Sequence, residues 1–301
     1  MKQSDYRQNV HRRERMLGVF KNMHTVRLLF MIVSCMMLSM VVPENVCAQN
    51  SGSAWLNAGG MTVQTRFVPP DGYTRKKYDD PYTEYMRNLP MLPDGSPVHI
   101  YTGALKAIQT NHVGVLDIDV GDRDLQQCSD AAQRLRTDYL YQTEQFDKIS
   151  YHFVNGMVFP WNKYKQGWRT KLEGKKTVLA KSGKASSSPE SFRNYQKALF
   201  MYAGVVSVMK ESPEITVADL RPGDAIAGIG HLIIVLDVVE NDQGSKKILL
   251  AQSYIPAQQI EVLKNPYSES PWYDAELLNT CPFVTPEWRY DCPFPKIYRL
   301  L

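Results

Sequence analysis

The chain has 301 residues, of which 44% are hydrophobic and 22% are charged. This composition is typical of a folded globular protein and excludes a disordered, collagen-like or multi-span membrane chain. The formal charge of +4 resides in residues 1–48, which hold seven Lys or Arg and three Asp or Glu and leave 28 of each sign in the remaining chain. A neutral body offers no basic face to displace counterions from phosphates, so nucleic acid is not expected as a partner.

The first 48 residues have the pattern of an export signal. A basic stretch precedes fifteen nearly all apolar residues, 28–42, and compact side chains precede a cleavage point at Gln49. Fifteen is fewer than the roughly 20 apolar residues that a spanning helix requires. We therefore predict a cleaved signal peptide over residues 1–48 and an exported protein of the periplasm or cell envelope. An uncleaved anchor is the second interpretation, followed by lipidation at Cys35, and membrane anchoring is expected only through this segment.

The rest of the chain is predicted to comprise a flexible lead, residues 49–65, and a single α+β domain, residues 66–301. Apolar residues alternate along 113–120, which predicts a strand, and recur at helical spacing over 125–142, which predicts a helix with Asp124 as its N-cap. Two further helices are predicted over 81–89 and 191–209. The other predicted strands are 66–68, 98–101, 153–159, 177–180, 225–227, 231–239 and 247–254.

Three cysteines remain once the signal is removed. Cys281 and Cys292 lie eleven residues apart in a tail rich in proline and aromatic residues, a spacing that a disulfide-closed loop accommodates. Cys128 is then unpaired. A free thiol in an exported protein is either buried and inert or retained for chemistry.

Cys128 and His231 are the candidate nucleophile and base. A cysteine in the first turn of a helix lies among unsatisfied N–H groups, which favour the thiolate. Pairing Val239 with about Lys247 in a hairpin brings His231 within one diagonal of Gln252, whose amide would orient the imidazole without adding charge. Each residue taken alone favours a structural role, because buried cysteine is a common small hydrophobe and histidine at the edge of an apolar strand usually belongs to the core.

Residues 222–226 are Pro-Gly-Asp-Ala-Ile, and residues 230–235 are Gly-His-Leu-Ile-Ile-Val. These two segments resemble the sheet of bacterial papain-like cell-wall peptidases of the NlpC type and their amidase relatives. The resemblance implies a papain-like core, in which a helix bearing Cys128 packs on an antiparallel sheet bearing His231. It also implies that Cys128 is the nucleophile, His231 the base and Gln252 the orienting residue. The cysteine stands in Gln-Gln-Cys-Ser-Asp, where those peptidases commonly have Asp-Cys-Ser-Gly.

A second resemblance covers nearly all of the mature chain. Four segments carry it: Arg-Phe-Val-Pro-Pro-Asp-Gly-Tyr at 66–73, Asp-Leu-Gln-Gln-Cys-Ser-Asp-Ala at 124–131, Leu-Ala-Gln-Ser-Tyr-Ile-Pro-Ala-Gln at 250–258 and Thr-Pro-Glu-Trp at 285–288. These segments are similar to an exported bacterial family classed as domain of unknown function 4846, a name that assigns no reaction.

Other kinds of site have weaker support. The aspartates between 117 and 124 lack the spacing and distal glutamate of a calcium loop, and a solvated strand end followed by a helix cap explains them. The histidines at 99, 112 and 152 have no zinc-ligand spacing, and no phosphate- or dinucleotide-binding glycine motif occurs. We therefore expect no metal and no cofactor.

Two hypotheses follow. The first is a secreted papain-like thiol hydrolase, a peptidase or amidase acting on a peptide or peptidoglycan-like substrate. Cys128 would attack the carbonyl, His231 would transfer the proton and Gln252 would hold the ring. Backbone N–H groups at the helix start, helped by Gln127, would stabilise the oxyanion. The second hypothesis is a non-catalytic envelope protein that binds glycan, peptide or a partner on the same scaffold, and burial of Cys128 would favour it.

Overall fold

The structure, a computed structural model, describes residues 53–174 and 176–300. It combines short and medium helices with a large antiparallel sheet and is therefore of the α+β class, as predicted. The export signal predicted over residues 1–48 lies outside the described residues. Within those residues, no helix has the length and apolar character needed to span a membrane.

The helices are α1 (Val63–Arg66), α2 (Pro81–Arg87), α3 (Cys128–Gln142), α4 (Trp161–Tyr164), α5 (Pro189–Tyr202) and α6 (Val205–Glu211), with 3₁₀ turns at Phe146–Lys148, Val217–Asp219 and Ala275–Asn279. The strands of the large sheet are β1 (His112–Val115), β6 (Glu214–Ile215), β7 (Ala225–Gly228), β8 (His231–Glu240), β9 (Lys246–Gln252), β10 (Glu261–Leu263), β11 (Tyr273–Asp274) and β14 (Lys296–Tyr298). Three separate hairpins are β2 (Ser150–His152) with β3 (Val158–Pro160), β4 (Trp168–Glu173) with β5 (Lys176–Lys181), and β12 (Phe283–Val284) with β13 (Arg289–Tyr290).

The large sheet has the strand order β1-β10-β9-β8-β7-β14-β6, and β11 pairs with β9 beside this path. Strand β8 is central and is buried along all but its last residue. In the first half of β8, Leu232 and Ile234 pack in one hydrophobic cluster with α3, and Ile233 and Val235 pack in a second cluster on the other face. Because both faces are covered, β8 is a nearly continuous apolar run rather than an alternating one.

The β8–β9 hairpin has the predicted register next to its turn, where Val239 pairs with Lys247. The register shifts by one residue between Val235 and Asp237, so Ile234 pairs with Ala251. The turn at 241–245 is closed by the Asn241 side chain, which accepts the backbone N–H of Ser245 at 2.8 Å. A one-residue slip would exchange the side chains that pack in the two clusters, so the turn at 241–245 and the fit of these side chains in their own cluster fix this register.

Helix α3 begins three residues later than predicted. Its N-cap is Gln127, whose backbone N–H donates to the Asp130 carboxylate at 3.1 Å in a capping box. Asp124, the predicted cap, instead accepts the backbone N–H of Ala257 at 2.7 Å. The prediction for Asp124 is therefore wrong, and the shift makes Cys128 the first residue of the helix.

Other element boundaries also differ from the predictions. The helix predicted over 191–209 is two helices, α5 and α6, because the chain is extended at Ala203 and Gly204. The strand predicted over 153–159 is a hairpin whose turn lies within that range. The segment 98–101 makes isolated bridges rather than a strand. Helix α1 lies within the segments predicted as a lead and a short strand, and its Val63 is fully buried.

The predicted disulfide is confirmed. Cys281 and Cys292, eleven positions apart in sequence, are bonded, and the bond closes the β12–β13 hairpin. Cys128 is the free cysteine of the described part of the chain, and it is buried.

Candidate active site

His231 and Gln252 lie at the same end of two neighbouring antiparallel strands. His231 is the first residue of β8 and Gln252 is the last residue of β9. The Nε2 atom of His231 lies 2.8 Å from Oε1 of Gln252. The two side chains are 2% and 0% exposed, so this hydrogen bond is sheltered from water.

Two carboxylates fix the orientation of the Gln252 amide. Its Nε2 donates to Oε1 of Glu261 at 3.0 Å and to Oε2 of Glu287 at 2.6 Å. A carboxylate only accepts, so the nitrogen faces the two glutamates and the oxygen faces His231. The His231 ring must then carry its proton on Nε2 to donate to that oxygen. In the neutral ring, Nδ1 consequently keeps a free lone pair.

Lys106 forms ion pairs with both glutamates and offsets part of their negative charge. Its ammonium lies 2.6 Å from Glu261 and 2.5 Å from Glu287, and the Asn111 amide also donates to Glu287 at 2.9 Å. Burial raises the pKa of Glu261 above its usual range, although Lys106 opposes the shift. Burial also acts to raise the pKa of Glu287, but the hydrogen bonds from Lys106 and Asn111 outweigh it and leave that pKa lowered. The pair therefore holds a proton most readily on Glu261.

Cys128 is the first residue of α3 and is 8% exposed. Burial raises the pKa of its thiol, and this effect outweighs the backbone N–H of Leu232 and those of the helix start, which favour the thiolate. The sequence-based expectation of a stabilised thiolate is therefore wrong, because loss of hydration exceeds the field of the helix terminus. No hydrogen bond joins the Cys128 thiol to the His231 ring among the described residues.

Three contacts bring the Cys128 segment to this end of the sheet. The Leu232 N–H, next to His231 in sequence, acts on the Cys128 thiol. The Ser253 hydroxyl, just beyond β9, donates to the Gln126 carbonyl at 2.6 Å. The Ala257 N–H donates to Asp124, as described above. The start of α3 is thus attached to β8 and to the segment after β9.

Gln127 lies at the same helix start but its amide is engaged elsewhere. Its Nε2 donates to Oδ1 of Asp124 at 3.2 Å. The N–H groups that act on the Cys128 sulfur belong to the backbone of Cys128 itself and of Ser129, in addition to Leu232. Any contribution of the Gln127 side chain to an oxyanion site would require it to leave Asp124.

The side chains of Tyr254 and Trp288, here called the aromatic cover, pack against the His231 ring. Their ring centroids lie 5.2 Å and 4.8 Å from that of His231. Burial lowers the pKa of His231 to about 4, while Gln252 and Glu287 oppose the shift. At neutral pH the ring is therefore uncharged and available as a base.

The disulfide-closed hairpin supplies two residues of this cluster. Glu287 and Trp288 lie in the loop between β12 and β13, and the Thr285 hydroxyl accepts the backbone N–H of Trp288 at 3.1 Å. Both fall within the Thr-Pro-Glu-Trp segment quoted above, but nothing in their spacing indicated a role. Lys106 and Glu261 carried no signal in the sequence. Within the described residues, no group of three or more His, Cys, Asp or Glu side chains is arranged to hold a metal.

A cavity of about 540 Å³ lies beside the cluster. Its wall includes Tyr254, Glu287 and Lys106, and the apolar side chains of Leu105 and Ile108 at its edge are more than half exposed. Cys128 and His231 are not among the residues that line this cavity in the described part of the chain. Tyr254 therefore stands between the cavity and the His231 ring.

Comparison with known proteins gives a family. The family described as "Domain of unknown function (4846)", DUF4846, matches residues 63–293. The chain belongs to the DUF4846 family. The DUF4846 match extends from α1 through the disulfide and contains every residue of the cluster described above. No curated protein and no solved structure matches the chain.

Proposed function

We propose that this protein is a papain-like thiol hydrolase that cleaves an amide bond in an exported peptide or peptidoglycan-like substrate. The observation that carries the proposal is the 2.8 Å hydrogen bond between His231 and Gln252. It leaves Nδ1 of a neutral imidazole free, on a strand whose next N–H acts on the Cys128 thiol. A nucleophile, a base and a group that orients the base are the minimum set for acyl transfer through a covalent intermediate.

The Cys128 thiol and the His231 ring are both uncharged before the reaction. Burial raises the pKa of Cys128 and lowers that of His231 to about 4, so neither group is ionised near neutral pH. In the first step the Cys128 sulfur bonds to the carbonyl carbon while its proton passes to Nδ1 of His231. The imidazolium that forms is stabilised by the Gln252 oxygen and by the negative charge of Glu287, both of which favour the protonated ring.

The carbonyl oxygen becomes an oxyanion in that step. The backbone N–H groups of Cys128 and Ser129 at the start of α3 supply donors that require no reorganisation. The imidazolium of His231 then returns its proton to the leaving nitrogen, the C–N bond breaks and an acyl thioester remains on Cys128. A water molecule, deprotonated by His231, attacks the thioester and releases the acid and the thiol.

The cavity beside Tyr254 is the proposed substrate cleft. Its apolar edge, Leu105 and Ile108, and its polar floor, Lys106 and Asn111, suit a peptide that carries both apolar and hydrogen-bonding groups. Because His231 is covered, we propose that substrate displaces the aromatic cover before Cys128 and His231 approach each other. Catalytic hydrogen bonds are often long in free enzymes and shorten when substrate binds.

One observation favours a second function. The thiol is only 8% exposed and its pKa is raised, as for a cysteine that packs as a small apolar residue. In this alternative the protein is a non-catalytic envelope protein, and the 540 Å³ cavity binds a peptide or glycan without cleaving it. The polar cluster would then fix the loops that form the cavity wall.

Hydrolysis of peptidoglycan stem peptides separates the two functions. Purified protein is incubated with these peptides, and the products are identified by mass spectrometry for the wild type, Cys128→Ala and His231→Gln. The proposal requires cleavage by the wild type, none by Cys128→Ala and a loss of about 10²-fold or more for His231→Gln. His99→Gln is a matched control. Binding of the peptides without cleavage, with equal affinity in Cys128→Ala, would support the binding function instead.

A further inference from the structure

A second cavity lies among α3, β2 and α6. Its volume is about 190 Å³, which is enough for a small ligand or several water molecules. It is lined by polar and charged side chains, chiefly Gln133, Arg136, Tyr151, His152 and Glu211. None of these residues takes part in the cluster around His231, so the inference below does not rest on the proposed hydrolase activity.

Arg136 brings an unpaired positive charge to this cavity. Its guanidinium lies 4.6 Å from the ring of Tyr82, but it forms no ion pair or hydrogen bond with the residues that the structure describes. A guanidinium has five N–H donors and binds carboxylates with two parallel hydrogen bonds. The side chain is therefore held by stacking, with its donors available to a ligand.

Glu211 brings a partly compensated negative charge. Its Oε2 accepts the backbone N–H of His152 at 2.9 Å and lies 3.0 Å from Nδ1 of the same residue. Its Oε1 accepts no hydrogen bond from the described part of the chain. Burial raises the pKa of Glu211 in spite of His152, which means that a further cation beside the carboxylate would be favourable.

The two opposite charges do not neutralise each other. Arg136 and Glu211 both line the cavity and both act on the Tyr151 hydroxyl, yet they form no ion pair within 4.0 Å. A ligand with only a negative charge would be repelled by Glu211, and a ligand with only a positive charge would be repelled by Arg136. A ligand that carries both charges can place each charge beside the side chain of opposite sign.

Neutral hydrogen-bonding groups also remain unused in this cavity. Both amide atoms of Gln133, which is 1% exposed, and the hydroxyl of Tyr151, which is 5% exposed, have no partner among the described residues. Buried polar groups in folded proteins are nearly always hydrogen-bonded. Their position on the cavity wall indicates that they serve a polar ligand.

We infer that this cavity binds a small α-amino acid as a zwitterion, with its carboxylate on Arg136 and its ammonium on Glu211. Gln133 and Tyr151 supply the neutral hydrogen bonds. A volume of about 190 Å³ accommodates an amino acid with a small side chain.

Isothermal titration calorimetry of the purified protein with glycine and L-alanine tests the inference. Propionate and ethylamine are the matched probes, since each lacks one of the two charges of alanine. We expect saturable binding of the amino acids and affinities about tenfold or more weaker for each single-charge probe. The inference is overturned if neither amino acid shows saturable binding. It is also overturned if propionate binds as tightly as L-alanine, because that result would indicate a simple anion site.

Two variants locate the site. Glu211→Gln keeps the shape of the side chain and removes the charge, so it should weaken L-alanine binding about tenfold or more. Arg136→Gln should do the same, and Arg169→Gln is its control because Arg169 also stacks on a tyrosine, at 3.8 Å from the ring of Tyr164. Thermal unfolding checks that each variant is folded. A folded Glu211→Gln protein that binds L-alanine with wild-type affinity overturns the inference.

Discussion

Nε2 of His231 lies 2.8 Å from Oε1 of Gln252, and the Gln252 amide is held in that orientation by Glu261 and Glu287. This arrangement places the proton of the neutral imidazole on Nε2 and leaves the lone pair of Nδ1 available to accept a proton. It also couples the ring to a Lys106-compensated pair of carboxylates, so the protonation of His231 depends on residues that do not contact it.

Replacing Gln252 by glutamate should raise the pKa of His231 from about 4. A carboxylate at the same position would favour the imidazolium, whereas the amide stabilises it only through a neutral dipole. NMR titration of the histidine ring protons measures the change. Gln258→Glu is the control, because Gln258 donates to Glu261 at 3.0 Å without bonding His231. An equal shift in both variants would show that the direct bond is not the cause.

His231 should make the protein less stable in acid. Its folded pKa, about 4, is below the usual 6.5, so the unfolded state binds more protons between these values. The contribution of the neutral ring is fully present above pH 6.5 and is lost as the pH falls to about 4. The shift corresponds to a loss on the order of 3 kcal/mol in the free energy of unfolding.

Denaturant unfolding of the wild type and of His231→Gln at several pH values measures this loss as a difference. Asp130, whose pKa burial raises from 3.8 to about 8, contributes with the opposite sign over the whole of this range. Because both proteins contain Asp130, its contribution cancels in the difference. If the free energies of unfolding of the wild type and of His231→Gln fall by the same amount between pH 6.5 and 4, the pKa of His231 is not lowered to about 4.

Removing the disulfide should loosen the site as well as the tail. Changing Cys281 and Cys292 to serine should lower the free energy of unfolding by about 3 kcal/mol for a closed loop of this size. The same hairpin carries Glu287 and Trp288, so alkylation of Cys128 by iodoacetamide should become faster. Peptide mapping after alkylation measures the rate at Cys128. A loss of stability with no change in the alkylation rate would show that the disulfide-closed hairpin does not limit access to Cys128.

Truncating the aromatic cover should expose the thiol without changing its partners. Trp288→Ala removes a ring 4.8 Å from that of His231, so water and small electrophiles should reach Cys128 more easily. We expect a severalfold faster reaction with iodoacetamide at constant pH. Trp168→Ala, on the separate β4–β5 hairpin, is the control. Equal rates in the wild type and Trp288→Ala would mean that the cover does not limit access.

The sequence predicts those contacts that short-range rules determine. The turn at 241–245 and the apolar run of β8 fix the hairpin register, which brings His231 to Gln252. The disulfide follows from the cysteine spacing together with the prediction of export. These inferences use only the periodicity of strands and the chemistry of one residue type.

Contacts between distant segments are not predictable in this way. Lys106 meets Glu261 and Glu287 across more than 150 residues of chain, and no spacing or period encodes that meeting. The sequence predicts the start of α3 three residues too early, because Gln127, a residue type that rarely caps helices, forms a capping box with Asp130. The sequence also predicts a lowered pKa for Cys128, whereas burial raises it. The helix field can be inferred from sequence, but the depth of burial cannot.

In the proposed reaction, His231 acts as the base for the Cys128 thiol. The rate at which p-nitrophenyl acetate acylates Cys128 near neutral pH, measured in the wild type and in His231→Gln with Cys128→Ala as the background, tests this role. We expect a rate about 10²-fold lower in His231→Gln, because the thiol would then lose its proton acceptor. Equal rates of Cys128 acylation in the two folded proteins would contradict the role of His231 as the base.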